Sequence, residues 1–131
     1  MTKKELSRYY YLEREIRQDR EEIENLNAKL THITQVLSDM PKGSPQRDRI
    51  DEIIDELARR DNLLHEKIAR AEKERNKILQ YINSIDDSLI RLIIQYRYLN
   101  LLTWTKVACF VGGNNTPDGV RMLSDRYILS H

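Results

Sequence analysis

Apolar residues recur at alternating intervals of three and four along residues 9–40, the first regular pattern in the chain. The spacing continues through more than four heptads, and Asp19 is the one polar residue in it. Because such a repeat keeps a narrow apolar stripe on one side of a helix, it predicts a long helix with a coiled-coil seam. The seam positions are Tyr9, Leu12, Ile16, Asp19, Ile23, Leu26, Leu30, Ile33, Leu37 and Met40.

A second apolar pattern follows a proline-rich break. Residues 41–45 read Pro-Lys-Gly-Ser-Pro, and this segment ends a helix because proline lacks the amide hydrogen and disfavours a helical residue before it. Residues 46–83 repeat apolar side chains at helical spacing over nearly the same length as the first segment. Two matched helices joined by a short loop predict an antiparallel hairpin over residues 1–83. The apolar positions of the second helix are Ile50, Ile53, Ile54, Leu57, Leu64, Ile68, Ala71, Ile78 and Ile82.

The register of the hairpin follows from placing the fold at Gly43, so that residue i faces roughly residue 86 − i. Asp19 is then level with Lys67, in a half of the seam that is poor in apolar residues. We expect Asp19 to pair with Lys67 or Arg70 and to define the register, since a polar seam residue favours one alignment. The sparse apolar content also predicts that the hairpin is weakest away from its loop.

Residues 84–131 form a separate domain of three short helices in this interpretation. Ser84 and Asp87 are spaced like the two ends of a capping box and predict the start of the first helix, over residues 86–99. Asn100 is suited to its C-terminal cap. The predicted buried face consists of Leu89, Leu92, Ile93, Tyr96 and Leu99.

The other two short helices have specific start signals. Thr103 precedes an amphipathic stretch, Trp104–Val111, with Trp104, Val107, Ala108 and Val111 on one side. Residues 112–115 read Gly-Gly-Asn-Asn and tolerate positive φ, which predicts a tight turn. Thr116 and Pro117 then predict the cap and first residue of the last helix. Val120, Leu123 and Tyr127 are expected to complete the small core.

Composition agrees with an all-α fold, a long antiparallel helical hairpin followed by a three-helix helix-turn-helix domain. Charged residues make up 33% of the 131 residues, with 4 glycines and 3 prolines, which favours long helices. The chain has 22 basic and 21 acidic side chains, and residues 84–131 have five basic and four acidic ones. Because neither the chain nor this domain is strongly positive, any binding of nucleic acid must depend on a local group of basic residues. One cysteine excludes an internal disulfide, and neither a secretion signal nor a membrane span is recognisable. A cytoplasmic protein is expected.

No arrangement of residues in the sequence predicts catalysis, and we expect no enzyme activity, metal site or cofactor. His32 and His65 are placed far apart by the hairpin register, so they do not form the set of ligands that zinc requires. Cys109 has no neighbouring histidine or cysteine in sequence and is interpreted as a small core or near-surface residue. Gly112 and Gly113 lack the strand and the Gly-Lys-Ser/Thr ending of a phosphate loop.

The C-terminal third resembles region 4 of bacterial primary-type sigma factors, the sigma-70 class. The resemblance rests on Leu102-Thr103-Trp104 leading to Val107-Ala108, a glycine turn, Thr116 with Val120-Arg121 and Leu123, and a closing Asp125-Arg126-Tyr127-Ile128. More closely, this pattern resembles the ArpU and RinA types of phage and prophage transcriptional regulators. It implies a DNA-binding protein whose last helix enters the major groove.

Carried over by position, the resemblance implies that the last helix and the turn before it contact DNA. Arg121 would contact phosphate or a guanine edge, and Asp118 would accept from a cytosine amino group. The chain departs from the family at Pro117, Gly119 and Met122, where longer basic or polar side chains are usual. The expected DNA-binding residues are Asn114, Asn115, Thr116, Asp118, Arg121 and Met122.

Double-stranded DNA is therefore the expected partner, with a homodimer formed through the coiled coil. Two hairpins would complete a four-helix bundle and let two weakly binding domains act together. The seam residues expected to hold the hairpin or dimer are Ile16, Asp19, Ile23, Leu26, Leu30, Ile33, Leu57 and Leu64. Two alternatives stay open: an adaptor or inhibitor that acts on RNA polymerase or another protein, and a terminase-type DNA-packaging component.

Overall fold

The computed structural model describes residues 1–36 and 45–131, and this part of the chain is all-α, as predicted. No strand occurs in these two ranges. Most of the predicted loop, residues 41–44, lies outside the described residues, as do the predicted seam positions Leu37 and Met40. The helices are α1 (Lys3–Val36), α2 (Pro45–Asn83), α3 (Ser88–Ile94), a π-helical segment (Gln95–Leu99), α4 (Trp104–Val111) and α5 (Pro117–Ser130).

The chain divides into two compact units that differ from the predicted boundary at residue 84. Met1–Glu13 packs with Arg70–His131, and we call this the head unit. Arg14–Ala69 forms the other, which we call the hairpin unit. Helices α1 and α2 each contribute to both units, so the ends of the two long helices supply part of the core around the short helices. None of the helices in the described ranges has both the length and the apolar character needed to cross a bilayer.

Charged side chains show that α1 and α2 run antiparallel within the hairpin unit. Lys67 Nζ donates to Asp19 Oδ2 at 2.7 Å and lies 3.6 Å from Glu15 Oε2. Seven residues earlier on α2, Arg60 pairs with Glu22, which lies later on α1. The predicted pairing of Asp19 with Lys67 is therefore confirmed. The hydrogen bond to Asp19 raises the pKa of Lys67, because it favours the charged amine.

The seam of the hairpin unit is buried to very different degrees. Ile16 and Leu64 are buried, and so is Ile53. The other apolar seam positions of this unit are only half-buried by the opposing helix, because a two-helix pair covers one side of each seam residue. These half-buried positions are Ile23, Leu26, Leu30, Ile33 and Leu57.

The first short helix differs from its prediction. Asp87 is the N-terminal cap of α3 and accepts from the amides of Leu89 and Ile90, at 2.8 and 3.2 Å. The predicted capping box was therefore wrong, and Ser84 instead donates to the carbonyl of Tyr81 at the end of α2. Asn100 is the C-terminal cap of the π-helical segment, as predicted for this position, and its backbone amide donates to the Gln95 carbonyl at 2.9 Å.

The buried face of this helix also differs from its prediction. Ile93 is buried as predicted, but Leu89 and Leu92 are exposed, and Ile94 and Tyr98 are buried instead. The π-helical segment contributes to this difference, since a bond from residue i to i+5 changes which side chains share a face. It directs Tyr98 inward, where its ring meets the Trp104 ring edge-on at 6.4 Å.

Helix α4 begins and ends, and α5 begins, as their local signals predict. Thr103 caps α4 by accepting from the Lys106 amide at 3.3 Å, and Arg97 lies over the Trp104 ring at 4.7 Å. The core between these helices is fully or almost fully buried and consists of Ile93, Val107, Ala108 and Val120. Partly buried residues that pack against it are Tyr96, Leu102, Trp104, Val111 and Leu123. The helix-turn-helix arrangement therefore has a continuous apolar core.

Candidate nucleic-acid interface

The turn between α4 and α5 is built from three consecutive residues with positive φ. Gly112, Gly113 and Asn114 have φ values of 72°, 65° and 64°. Glycine adopts this region without steric cost, and asparagine tolerates it better than most residues. Asn115 closes the turn by donating its side-chain amide to the Gly112 carbonyl at 2.7 Å. The Asn115 side chain is half-buried, and this hydrogen bond stabilises the turn.

Thr116 and Gly119 form the N-terminal cap of α5. Thr116 Oγ1 accepts from the Gly119 amide at 3.0 Å, and Pro117 occupies the first helical position, where no amide donor is needed. A Cβ atom added to Gly119 would lie 2.8 Å from Thr116 Oγ1, closer than side chains pack. Glycine at this position is therefore explained by the cap, and the Thr116 hydroxyl, which accepts from the Gly119 amide, still has its own hydrogen to donate.

Five of the six predicted DNA-binding residues are exposed to solvent, namely Asn114, Thr116, Asp118, Arg121 and Met122, and Asn115 is half-buried. The Asp118 side chain is 88% exposed, Met122 is 53% exposed and the Arg121 side chain is 44% exposed. Asn114 is exposed at the tip of the turn. The three residues of α5 lie in its first two turns, which is where a major-groove helix makes its base contacts. Asn115 and Thr116 also stabilise the turn and the helix cap on which the others depend.

Arg121 lies between two carboxylates on the same helix. Its guanidinium is 3.8 Å from Asp118 and 3.6 Å from Asp125 Oδ2. The other oxygen of Asp125 lies 3.2 Å from Lys3 Nζ, on the first turn of α1. Two cations therefore flank one carboxylate, and the start of α1 contributes a basic group to the edge of α5.

The sequence interpretation missed Lys3 as a candidate interface residue. A signal for its position was present, since Thr2 and Glu5 form a true capping box. Thr2 Oγ1 accepts from the Glu5 amide at 3.2 Å, and Glu5 Oε2 accepts from the Thr2 amide at 3.0 Å. This box sets the start of α1, but its proximity to α5 depends on tertiary packing and is not encoded in any local pattern.

Positive and negative charges are nearly equal in number over the whole chain, but they are distributed unequally between the two units. The head unit has twelve basic and eight acidic residues and a formal net charge of +4. The hairpin unit has ten basic and thirteen acidic residues and a net charge of −3. The +1 counted for residues 84–131 alone therefore understates the positive charge around the helix-turn-helix, because the ends of α1 and α2 add to it.

A buried polar cluster lies between α5 and the π-helical segment. Ser124 and the Tyr98 hydroxyl are buried, and neither oxygen has a hydrogen-bond partner of ordinary geometry among the described residues. Burial raises the pKa of Tyr98, and the nearby Asp125 carboxylate raises it further, because both disfavour the phenolate. Desolvated hydroxyls of this kind destabilise a fold when they are not hydrogen-bonded.

A groove of about 410 Å³ lies between the start of α1 and the end of α2 in the head unit. Its lining carries mixed charges, from Glu5, Arg8, Glu74 and Lys77. Tyr81 also lines it, and burial raises the pKa of this tyrosine. The mixture of charges does not select an anion or a cation, so the groove identifies no ligand class.

Metal-ligating residues are dispersed in the described ranges. Within residues 1–36 and 45–131, no three His, Cys, Asp or Glu side chains converge in a geometry that holds a metal ion. His65 Nδ1 lies 2.8 Å from the Asp61 carbonyl on its own helix. Cys109 is exposed on α4.

Comparison of the chain with protein-family models, curated proteins and solved structures finds no match. The resemblance to sigma region 4 and to phage regulators therefore rests on the residue pattern of the C-terminal third, and the function it implies is a proposal.

Proposed function

We propose that this chain is a DNA-binding transcriptional regulator of a phage or mobile element, which reads DNA with α5. The observation that carries the proposal is the α4–turn–α5 arrangement, closed by the glycine–asparagine turn and the Thr116 cap. This arrangement leaves the side chains of Asp118, Arg121 and Met122 exposed on the first two turns of α5. Such a helix can enter a major groove that is about 12 Å wide.

The exposed side chains suit distinct contacts in that groove. Arg121 can donate to phosphate or, in a bidentate manner, to the O6 and N7 atoms of guanine. Asp118 can accept from a cytosine amino group, and Met122 can pack on a thymine methyl group. Asn114, at the tip of the turn, can donate to a backbone phosphate.

We further propose that the chain dimerises through the hairpin unit. Its support is the row of half-buried seam residues Ile23, Leu26, Leu30 and Ile33, which one opposing helix leaves partly open to solvent. Ile54 and Leu63 on α2 are each about half exposed as well. A second hairpin would cover these side chains in a four-helix bundle and would pair two DNA-reading helices on repeated half-sites.

A DNA titration at two salt concentrations tests the proposal most directly. Duplexes from the promoter region around the gene are compared with shuffled duplexes of equal length, and the mass of the protein in solution is measured on the same sample. We expect a dimer that prefers the promoter duplex and binds more weakly at the higher salt concentration. Equal binding to both duplexes, or none at low salt, would refute sequence-specific regulation. A ring-shaped oligomer would favour a packaging role.

A protein-interaction role is the second candidate, because the head unit exposes several large apolar side chains. Phe110 is 61% exposed and its ring lies 5.9 Å from that of Tyr96. Leu89 and Leu92 on α3 are exposed too, although their spacing predicts a buried face. Purified bacterial RNA polymerase is the first partner to test. Polymerase binding that Phe110→Ser abolishes, in a chain that binds no DNA, would favour this role.

A further inference from the structure

We propose that the first turn of α1 is part of the DNA interface, where Lys3 joins Arg121 in contacting the phosphate backbone beside α5. This inference rests on the proposed DNA-binding function and extends it to a segment far from the helix-turn-helix in sequence. The partner class is double-stranded DNA, and the ligand groups are the phosphate oxygens of one strand.

The geometry that carries the proposal is a shared carboxylate. Lys3 Nζ lies 3.2 Å from Asp125 Oδ1, and Arg121 lies 3.6 Å from Asp125 Oδ2. The two cationic groups are therefore neighbours at the same edge of α5. The Lys3 side chain is 58% exposed, so a phosphate can approach it from solvent.

The existing ion pairs do not prevent such a contact. Asp125 is only 26% exposed, but Lys3 and Arg121 are 58% and 44% exposed, so a phosphate can approach both cations from solvent without displacing the carboxylate. A phosphate oxygen can accept charge-assisted hydrogen bonds from both groups. In the free protein the same two cations are attracted to the Asp125 carboxylate. Asp125 then acts as an internal competitor for the two cations, and it reduces their attraction for DNA.

The position of these cations beside α5, within a positively charged unit, favours DNA over an acidic protein surface. The excess positive charge of the chain lies in the unit that contains the helix-turn-helix, with a net charge of +4. The recognition helix also lies directly beside the Lys3–Asp125–Arg121 group. Phosphate contacts made outside the recognition helix are what orient such a helix in the groove.

The test compares Lys3→Gln with Lys77→Gln in the full-length chain. Lys77 is a matched control, since its side chain is 59% exposed and lies 3.5 Å from one carboxylate, that of Glu74 on α2. The probes are the promoter duplex and its shuffled equivalent, titrated over a range of salt concentrations. We expect Lys3→Gln to weaken both by a similar factor, about threefold to tenfold, and to reduce the salt slope by about 0.9. Lys77→Gln should change neither slope nor affinity.

Two further variants define the charge effect. Lys3→Arg should bind DNA with the affinity and the salt slope of the parent chain, because it keeps the cation. Asp125→Asn should bind both duplexes severalfold more tightly, because it removes the competing carboxylate. Thermal unfolding followed by circular dichroism confirms that each variant is folded under the titration conditions.

The outcomes separate this inference from the proposed function. If the parent chain binds no DNA, the proposed function fails and this inference fails with it. If the parent binds and Arg121→Ala weakens binding, an unchanged salt slope for a folded Lys3→Gln variant would overturn the inference alone. The same holds if Lys3→Gln leaves DNA binding intact but weakens binding to RNA polymerase, which would assign the cation to an acidic protein surface.

Discussion

Lys67 donates a hydrogen bond to Asp19 across the two long helices, with 2.7 Å between Nζ and Oδ2. Both side chains are largely shielded from solvent, at a position where most coiled-coil seams carry apolar residues. A shift of one helix along the other would separate the two charges and leave each partly desolvated. The pair therefore favours one register of α1 against α2.

A double-mutant cycle on this pair should measure its energetic coupling. We expect Asp19→Ala and Lys67→Ala each to lower the free energy of unfolding, because each leaves the other charge unpaired. The coupling energy should be about 1 kcal/mol, above that of an exposed pair, since neighbouring residues are not additive. Chemical denaturation provides the four values. Additive single effects would show that the pair does not define the register.

Lys67 should also make stability depend on alkaline pH. Its pKa is raised from the ordinary value of 10.5 by the bond to Asp19, so the folded state binds the proton more tightly than the unfolded state. This contribution is fully present below about 10.5 and is lost as pH rises through the folded-state pKa. Unfolding curves from pH 9 to 12 should therefore show a shallower alkaline loss for Lys67→Met than for the parent. Lys77→Met is the control, and an equal slope for Lys67→Met and the parent would contradict the assignment.

Tyr98→Phe should preserve or raise stability, by up to about 1 kcal/mol. The Tyr98 hydroxyl is buried beside the Ser124 hydroxyl but makes no hydrogen bond of ordinary geometry among the described residues, so its removal eliminates a poorly bonded polar group while the ring contact with Trp104 remains. Thermal or chemical unfolding measures the change. A loss larger than 1 kcal/mol would mean that a buried water bonds this hydroxyl.

Gly119→Ala should fail to stabilise α5, although alanine is favoured over glycine in a helix by about 1 kcal/mol. The added methyl would lie 2.8 Å from Thr116 Oγ1 and displace the cap, which offsets the gain. In a Thr116→Ala background the obstacle is absent, so the same change should stabilise the protein by about 1 kcal/mol. Unfolding measurements on the parent, the two single variants and the double variant test this difference, and equal effects of Gly119→Ala in both backgrounds would contradict the cap explanation.

Trp104→Ala and Arg121→Ala should separate folding from DNA binding. Trp104 packs against the core and contacts both Tyr98 and Arg97, so its truncation should cost about 3 kcal/mol and unfold much of the head unit. Arg121→Ala should leave the unfolding temperature almost unchanged and weaken binding to the promoter duplex about tenfold. Circular dichroism and DNA titration on the same samples measure both. Unchanged affinity of folded Arg121→Ala would remove this residue from the interface.

Local chemistry in the sequence determined most helix ends and the pairing of the hairpin. Thr103, Thr116 and Pro117 act within a few residues of their own position, as do the glycines of the turn, so their effects are readable without a structure. The register was readable because Asp19 and Lys67 are complementary charges placed opposite each other by two matched helices.

Only the tertiary structure decided which surfaces meet. The spacing of Leu89 and Leu92 predicts burial, yet the packing of α3 buries Ile93 and Ile94 and leaves both leucines exposed. The contact of Lys3 with Asp125 joins residues 122 positions apart, which no local pattern encodes. Backbone caps are satisfied by near neighbours, whereas the burial of a helix face depends on partners brought together by the whole fold. The candidate recognition helix was therefore predictable, and the basic edge beside it was not.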